Sequence, residues 1–293
     1  MKVLILGGSG MVGHALIKNL SVKYEVFSIL RQRRNLESTE FFKKILEKNK
    51  CIFLDDINQH RKLDEVIKKI SPDILINCIG VIKQRGDVNN IQNMIKINAL
   101  LPHILHEICF KNKVKLIHLS TDCVFSGKKG YYKESDNPDP VDKYGASKLL
   151  GEIVEGDALT IRTSFIGPEL FNKKSLFEWI KSQKDGEIDG FDKAIYSGLT
   201  TYAFARVVEQ IIDKHLQLNG IWQVSSDPIS KFDLIVLINL IFKLNIKINR
   251  NSSFECDRSL NSSAFKNKTN ILIPSWKEMI NNLYEGKNEV VKK

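Results

Sequence analysis

"MKVLILGGSGMVGHALIKNL", residues 1–20, decides the fold. Residues 2–7 form a short β-rich run, and the residues from Met11 place Val12, Leu16 and Leu20 on one helical face. Between them Gly7, Gly10 and Gly13 stand three residues apart. A strand that turns on glycine directly into a helix brings unpaired backbone N–H groups and a positive dipole end to one point, where a phosphate binds. Gly7 is expected to permit the tight turn, Gly10 to let a pyrophosphate approach the backbone, and Gly13 to let helix and strand close together. Ser9, Met11 and Val12 complete this candidate dinucleotide loop. A glycine-rich turn without a ligand is the competing account.

The same alternation continues outward. Strands are predicted over 24–30, 50–55, 73–80, 114–120 and 158–164, with helices between them, notably over 62–70, 93–112 and 143–156. Strands alternating with helices predict βαβ units and a parallel sheet covered on both faces. Past residue 166 the rhythm loosens. A further strand is expected at 220–226, a buried helix is read over 232–246, a short β segment follows at 246–257, and the basic tail is expected to fray. The fold class is therefore α/β: a Rossmann-type, doubly wound parallel sheet over 1–166, rejoined by about 200–226. A smaller C-terminal substrate-binding lobe over 167–293 lies across its carboxyl edge, where ligands of open α/β sheets bind.

A chain of 293 residues suffices for one large domain or two lobes sharing a core. The net charge of +10 comes mostly from lysines spread along the chain. No basic zipper or zinc-finger spacing accompanies them, so nucleic acid is not an expected partner. An anionic small molecule suits the excess. The cysteines, Cys51, Cys78, Cys109, Cys123 and Cys256, are odd in number and lack a C-x-x-C spacing. Buried free thiols in a reducing compartment are expected, without a metal site, and the location expected is cytoplasmic. No run approaches the length of a membrane span and the N-terminus does not read as a signal peptide, so membrane insertion is not expected.

The second strand leads into "ILRQRRN" (29–35). An acidic residue there would favour NAD, whereas arginines suit a 2′-phosphate. NADPH is the expected cofactor and NADH the less favoured one, with Arg31 as the contact. "FLDDIN" (53–58) offers Asp56 and Ile57 for an adenine ring, with helix capping by an aspartate as the alternative. Cys78, Ile79 and Gly80, at the end of the strand 73–80, extend the cofactor set.

Tyr144 and Lys148 in "DKYGASKLLGE" (142–152) are four apart on the helix, and Ser120, Thr121 and Asp122 close the strand before it. A hydroxyl, a phenol and an ammonium would then converge at the ligand edge. A ketone accepting hydride needs a proton, which Tyr144 can give. A neighbouring Lys148 ammonium is expected to favour the phenolate and bring its pKa down. Thr121 would fix the carbonyl oxygen.

These residues, with "STDCVFSG" (120–127), "YYKESDNPDPVDKYGASKLLGE" (131–152) and "IRTSFIG" (161–167), resemble the extended short-chain dehydrogenase/reductases. More narrowly they resemble the dTDP-4-dehydrorhamnose reductase family. "DRSLNSSAF" (257–265) is similar to a C-terminal signature of related sugar-nucleotide proteins. The resemblance implies catalysis by Thr121, Tyr144 and Lys148, with Asp122 at the family's active-site aspartate. Asn98 falls at its structural or proton-relay asparagine. Ser120, Tyr144 and Lys148 would also touch the cofactor, and Arg162 to Ile166 would run past the nicotinamide.

Substrate contacts are expected from Lys83, Thr121, Asp122, Tyr144, Thr201 and Arg206, although Arg206 also reads as a plain surface charge. Cys123 and "NCIGVIKQ" (77–84) depart from the family pattern, which puts a rhamnose-pathway sugar in doubt while leaving 4-keto sugar reduction open. The implied activity is NADPH-dependent reduction of a nucleotide-linked 4-keto-6-deoxy sugar for surface polysaccharide synthesis. A nucleotide-sugar epimerase or dehydratase, or a non-catalytic subunit resembling that of methionine adenosyltransferase, are the alternatives. A homodimer is admitted, and the residues do not decide it.

Overall fold

The computed structural model describes residues 1–31, 50–82, 91–171 and 173–291. Seven strands form one sheet: β1 (Lys2–Leu6), β2 (Glu25–Leu30), β3 (Cys51–Phe53), β4 (Ile74–Asn77), β5 (Lys115–Leu119), β6 (Ala158–Arg162) and a late strand, Gly220–Gln223. From that late strand the order across the sheet is β6, β5, β4, β1, β2 and β3. Every pairing is parallel. This is the Rossmann arrangement the alternation predicts.

Period two along each strand divides the core. Val3 and Ile5 of β1, Ile74 and Ile76 of β4, and Ile117 and Leu119 of β5 enter one cluster. Leu4 and Leu6, Leu75 and Leu116 enter the other. The second cluster is closed by helix α2 (His60–Ile70) and by α3, which runs without a break through Ile91–Met94, a π-helical stretch Ile95–Leu100 and Leu101–Asn112. The first cluster is closed by α1 (Met11–Leu20) and by a helix from the second half of the chain, Thr201–Lys214. Asn19 donates to Glu209 at 2.8 Å, and Lys23 and Tyr24 both bond Asp213, so these two helices are also tied by polar contacts. The core on this face continues into the remaining elements through Ile188, Leu234, Ile238, Met279 and Ile280.

Several elements end where packing rather than pattern decides. The helix predicted over 143–156 is α4 (Lys143–Leu150) and stops at Gly151. A Cβ at Gly151 would lie 1.9 Å from the Asn98 carbonyl oxygen, so the chain there passes hard against α3. Glu152 then turns inward. The helix read over 232–246 is Lys231–Phe242, halted by Lys243 in the left-handed region. It is not wholly buried, because Leu240 stays exposed. A helix runs from Trp276 to Val291, anchored by buried Trp276, Met279 and Ile280, and the last two residues of the tail lie outside the described residues. All five cysteines are free; Cys109 is buried and the other four are half-buried. No helix among the described residues is long and apolar enough to cross a membrane.

The glycine loop follows its sequence logic at two of three positions. Gly7 has φ +81°, and a Cβ at Gly13 would lie 2.2 Å from the Gly7 carbonyl oxygen. Gly8 is equally crowded, with Ser28 Oγ 2.2 Å from its would-be Cβ, although the spacing argument passes over it. Gly13→Ala should cost about 1–3 kcal/mol, because the obstructing atoms are backbone. A thermal melt should show a lower Tm than wild type.

Candidate active site

At the carboxyl ends of the strands the chain builds the site from three directions. Gly10 precedes α1 in extended backbone and gives it no side-chain cap. The first turn of α1 therefore keeps N–H groups that no capping side chain takes. A Cβ at Gly10 would meet only the Gly7 carbonyl oxygen, at 3.2 Å, so packing alone does not demand glycine there. Ser9, Met11 and Val12 line the same turn.

After β5, Thr121 caps a single 3₁₀ turn, Asp122–Val124, by accepting from the Cys123 N–H at 3.2 Å. Its hydroxyl donates to Asp122 Oδ1 at 3.1 Å. Helix α4 is capped by Asp142, which accepts from the Gly145 N–H at 2.8 Å. Gly145 sits so close to this turn that a Cβ would lie 2.1 Å from the Cys123 carbonyl oxygen. The missing side chain beside Tyr144 is thus what lets α4 reach the Thr121 turn. The Tyr144 phenol shares a hydrogen bond with Thr121. The hydroxyl and phenol expected to converge do so.

The electrostatics differ from expectation. Desolvation pushes the Tyr144 phenol well above its ordinary pKa, and Cys123 and Asp122 add to the rise, against the Thr121 hydrogen bond. Lys148 does not lower it. Its Nζ instead donates to the Leu119 carbonyl at 2.6 Å and faces His118 Nε2 at 3.4 Å. Burial brings Lys148 down to about 8, with Glu152 and Cys78 opposing. Lys148 is thus a buried amine that is still mostly protonated at pH 7 and titrates about one pH unit above it.

Two polar groups of the expected set have partners within the scaffold. Asn98, wholly buried in the π-helical stretch, accepts from the Val81 N–H at 2.8 Å. It donates to the Val81 carbonyl and to Ser147 Oγ, each at 3.0 Å. With both amide protons engaged it ties α4 to the segment after β4, which fits the structural side of the expectation for it. The Ser120 hydroxyl donates to Glu152 at 2.6 Å. Glu152 also forms a two-point pair with Arg162, at 2.8 Å for each bond, with both side chains buried. Arg162 is therefore a buried structural cation.

Asp56 lies exposed and accepts from the Asn58 backbone and side chain at 2.9 and 2.8 Å, which lowers its pKa. It caps a turn rather than a helix, while Ile57 packs at the edge of the sheet core. Arg31 is exposed just past β2. Cys78, Ile79 and Gly80 follow β4, with Asn77 Oδ1 accepting from the Ile79 N–H at 3.1 Å. Lys83 lies outside the described residues, as do Gln84 and the arginines at 33 and 34. Thr201 and Arg206 both lie on the helix Thr201–Lys214. The Thr201 hydroxyl is buried without a partner, and a Cβ at Gly167 would lie 2.5 Å from it. Arg206 is exposed and makes no ion pair among the described residues.

Other residues come to the site unannounced. Arg258 donates through Nε to the Phe125 carbonyl at 2.9 Å and through Nη1 to Cys123 Sγ at 3.7 Å. Lys231 lies over the Tyr196 ring at 5.2 Å; burial lowers its pKa, against the pull of Asp122 and Cys123. Both cations come from the second half of the chain. "DRSLNSSAF" had marked the stretch containing Arg258, but nothing in the pattern tells Lys231 from a surface lysine.

An uncapped helix at a glycine turn and a Thr–Tyr–Lys set on the same sheet edge define an extended short-chain dehydrogenase/reductase. The profile of the RmlD substrate binding domain matches residues 1–243, and the chain belongs to that family. The probable low-salt glycan biosynthesis reductase Agl14 of Haloferax volcanii is 35% identical over 116 residues, which are 38% of this chain and 39% of that protein. The chain thus spans about two fifths of that relative. The dTDP-4-dehydrorhamnose reductase of Aggregatibacter actinomycetemcomitans is 25% identical over 81% of this chain and 78% of its own. The Bacillus anthracis dTDP-4-dehydrorhamnose reductase solved with NADP superposes with a TM-score of 0.79 at 21% identity, over 97% of this chain and 99% of its own.

The Glu152–Arg162 pair gives a direct check on this architecture. Glu152→Ala leaves a buried guanidinium uncompensated and should cost about 3–5 kcal/mol. Glu152→Gln should fall between it and wild type in a urea titration.

Proposed function

We propose that the protein is an NADPH-dependent reductase of a nucleotide-linked 4-keto-6-deoxy sugar, acting in the cytoplasm and supplying surface polysaccharide synthesis. The observation that carries this reading is the Thr121–Tyr144 hydrogen bond, with Lys148 one helical turn further on. The names of the relatives point to the same substrate class.

The residues present fit the cofactor. Gly7, Ser9, Gly10, Met11, Val12 and Gly13 would take the pyrophosphate at the uncapped start of α1. Arg31 would pair with the 2′-phosphate, and Asp56 and Ile57 would hold the adenine. The backbone of Cys78, Ile79 and Gly80 would border the nicotinamide side, and Lys148 would hold the ribose. When bound, the cofactor supplies hydride. The chain supplies the rest. Thr121 positions the sugar carbonyl oxygen, and Tyr144 gives that oxygen its proton. The raised phenol pKa keeps this proton in place until negative charge develops on the acceptor. Arg258 and Lys231 are cations placed to meet the anionic part of a nucleotide sugar.

Tyr144→Phe should lower kcat for NADPH oxidation by at least about a hundredfold, the size of a lost general acid. Cofactor binding, read by NADPH fluorescence, should persist. A fully active Tyr144→Phe enzyme, tested against dTDP-, UDP- and GDP-linked 4-keto-6-deoxy sugars, would overturn the assignment. Arg31→Ala should weaken NADPH binding by roughly tenfold, about 1.4 kcal/mol, and leave NADH binding unchanged in the same titration.

A further inference from the structure

Behind the Tyr144–Lys148 pair runs a buried chain of polar groups whose direction is fixed by one backbone N–H. Asn77 and His118 occupy paired positions on β4 and β5. The Ile79 N–H donates to Asn77 Oδ1 at 3.1 Å. An amide NH₂ cannot face that donor, so the other end of the side chain, Nδ2, faces His118 Nδ1 at 3.1 Å. Nδ1 must then accept. His118 is wholly buried, and burial together with Lys148 and His103 holds its pKa well below the ordinary value. The ring is neutral, and its single proton sits on Nε2. Nε2 lies 3.4 Å from Lys148 Nζ, whose firm bond is the 2.6 Å one to the Leu119 carbonyl. Against an ammonium, this contact sets donor against donor. Against a neutral amine, the Nζ lone pair accepts the ring N–H.

We propose that His118 is a positioning residue for Lys148: Asn77 orients its ring so that Nε2–H points at Nζ, and this sets the pH at which Lys148 exchanges its proton. The inference rests on the reading of Lys148 as a residue of the cofactor site. The other groups facing the pair are few. Cys78 after β4 and Glu152 after α4 favour the ammonium. Glu152 is already engaged by Arg162, which weakens its pull. His103 on α3 donates through Nε2 to the Leu150 carbonyl at 2.8 Å and acts on His118 from that side. Tyr144 stands one turn before Lys148. Burial brings the charged and neutral forms of the lysine close in free energy, and the histidine shifts the balance between them.

Two measurements test this. In wild-type protein, ¹⁵N spectra of the histidine rings should show His118 neutral with the proton on Nε2 at pH 7; a proton on Nδ1 overturns the proposal whether or not any variant folds. NADPH affinity followed from pH 7 to 10 should fall with a midpoint near 8 in wild type, where Lys148 titrates. In His118→Gln, whose carbonyl oxygen can turn to Nζ and stabilise the ammonium, the midpoint should rise by about one pH unit or more. A merely structural histidine would lower affinity at every pH and leave the midpoint in place, which would also overturn the proposal. Wild-type protein that takes up no NADPH refutes the cofactor reading instead, and the ring spectrum then decides His118 alone.

Discussion

The buried amide of Asn98 is the joint on which the site depends. It accepts from and donates to Val81, in the segment after β4, and donates to Ser147 in α4. Three segments far apart in sequence therefore meet at one side chain. It can do this because α3 opens into a π-helical stretch at Ile95–Leu100, which carries Asn98. Its backbone carbonyl simultaneously meets Gly151, where any larger residue would push α4 away. Without this joint Tyr144 would have no fixed distance from Thr121, and Lys148 none from Leu119 and His118.

A second constraint comes from burial of charge. Glu152 and Arg162 form a dry, two-point pair between the start of the β6 exit and the end of α4. Such a pair adds little net stability, but removing one member is costly. Its value here is geometric, since Ser120 is drawn to the same carboxylate and the strand end carrying Thr121 is held with it. The next hydroxyl along, on Thr121, is thereby left to the phenol. Neighbouring hydroxyls at 120 and 121 thus have opposite assignments: one braces the scaffold and the other serves the site.

The surroundings of the phenol and the amine set their chemistry more than either sets the other's. Tyr144 is raised by desolvation and nearby negative groups, whereas Lys148 is lowered by desolvation. A pattern of tyrosine and lysine four apart predicts an attraction that pulls the phenol down. The fold separates the two heads by giving Nζ a carbonyl and an imidazole of its own. Lys231 and Arg258 then bring positive charge to the other side of Asp122 and Cys123, from a part of the chain over a hundred residues away.

The sequence by itself determined the parallel sheet, the glycine turn and the tyrosine, lysine and threonine at its edge. These are local features: period two in "KVLIL", glycine at positive φ, and a helix that carries Tyr144 and Lys148 four apart. Only the tertiary structure decided which partners the polar groups take. Ser120 and Asn98 read as site residues by position, yet their partners Glu152 and Ser147 lie in segments that sequence spacing does not bring together. His118 and Asn77 left one trace, a polar residue in an otherwise apolar strand, but their pairing depends on the register between β4 and β5. Lys231 left none, because a lysine's burial is set by what folds over it. Spacing along a chain fixes what its neighbours can do; contact across the fold fixes which of those possibilities is used.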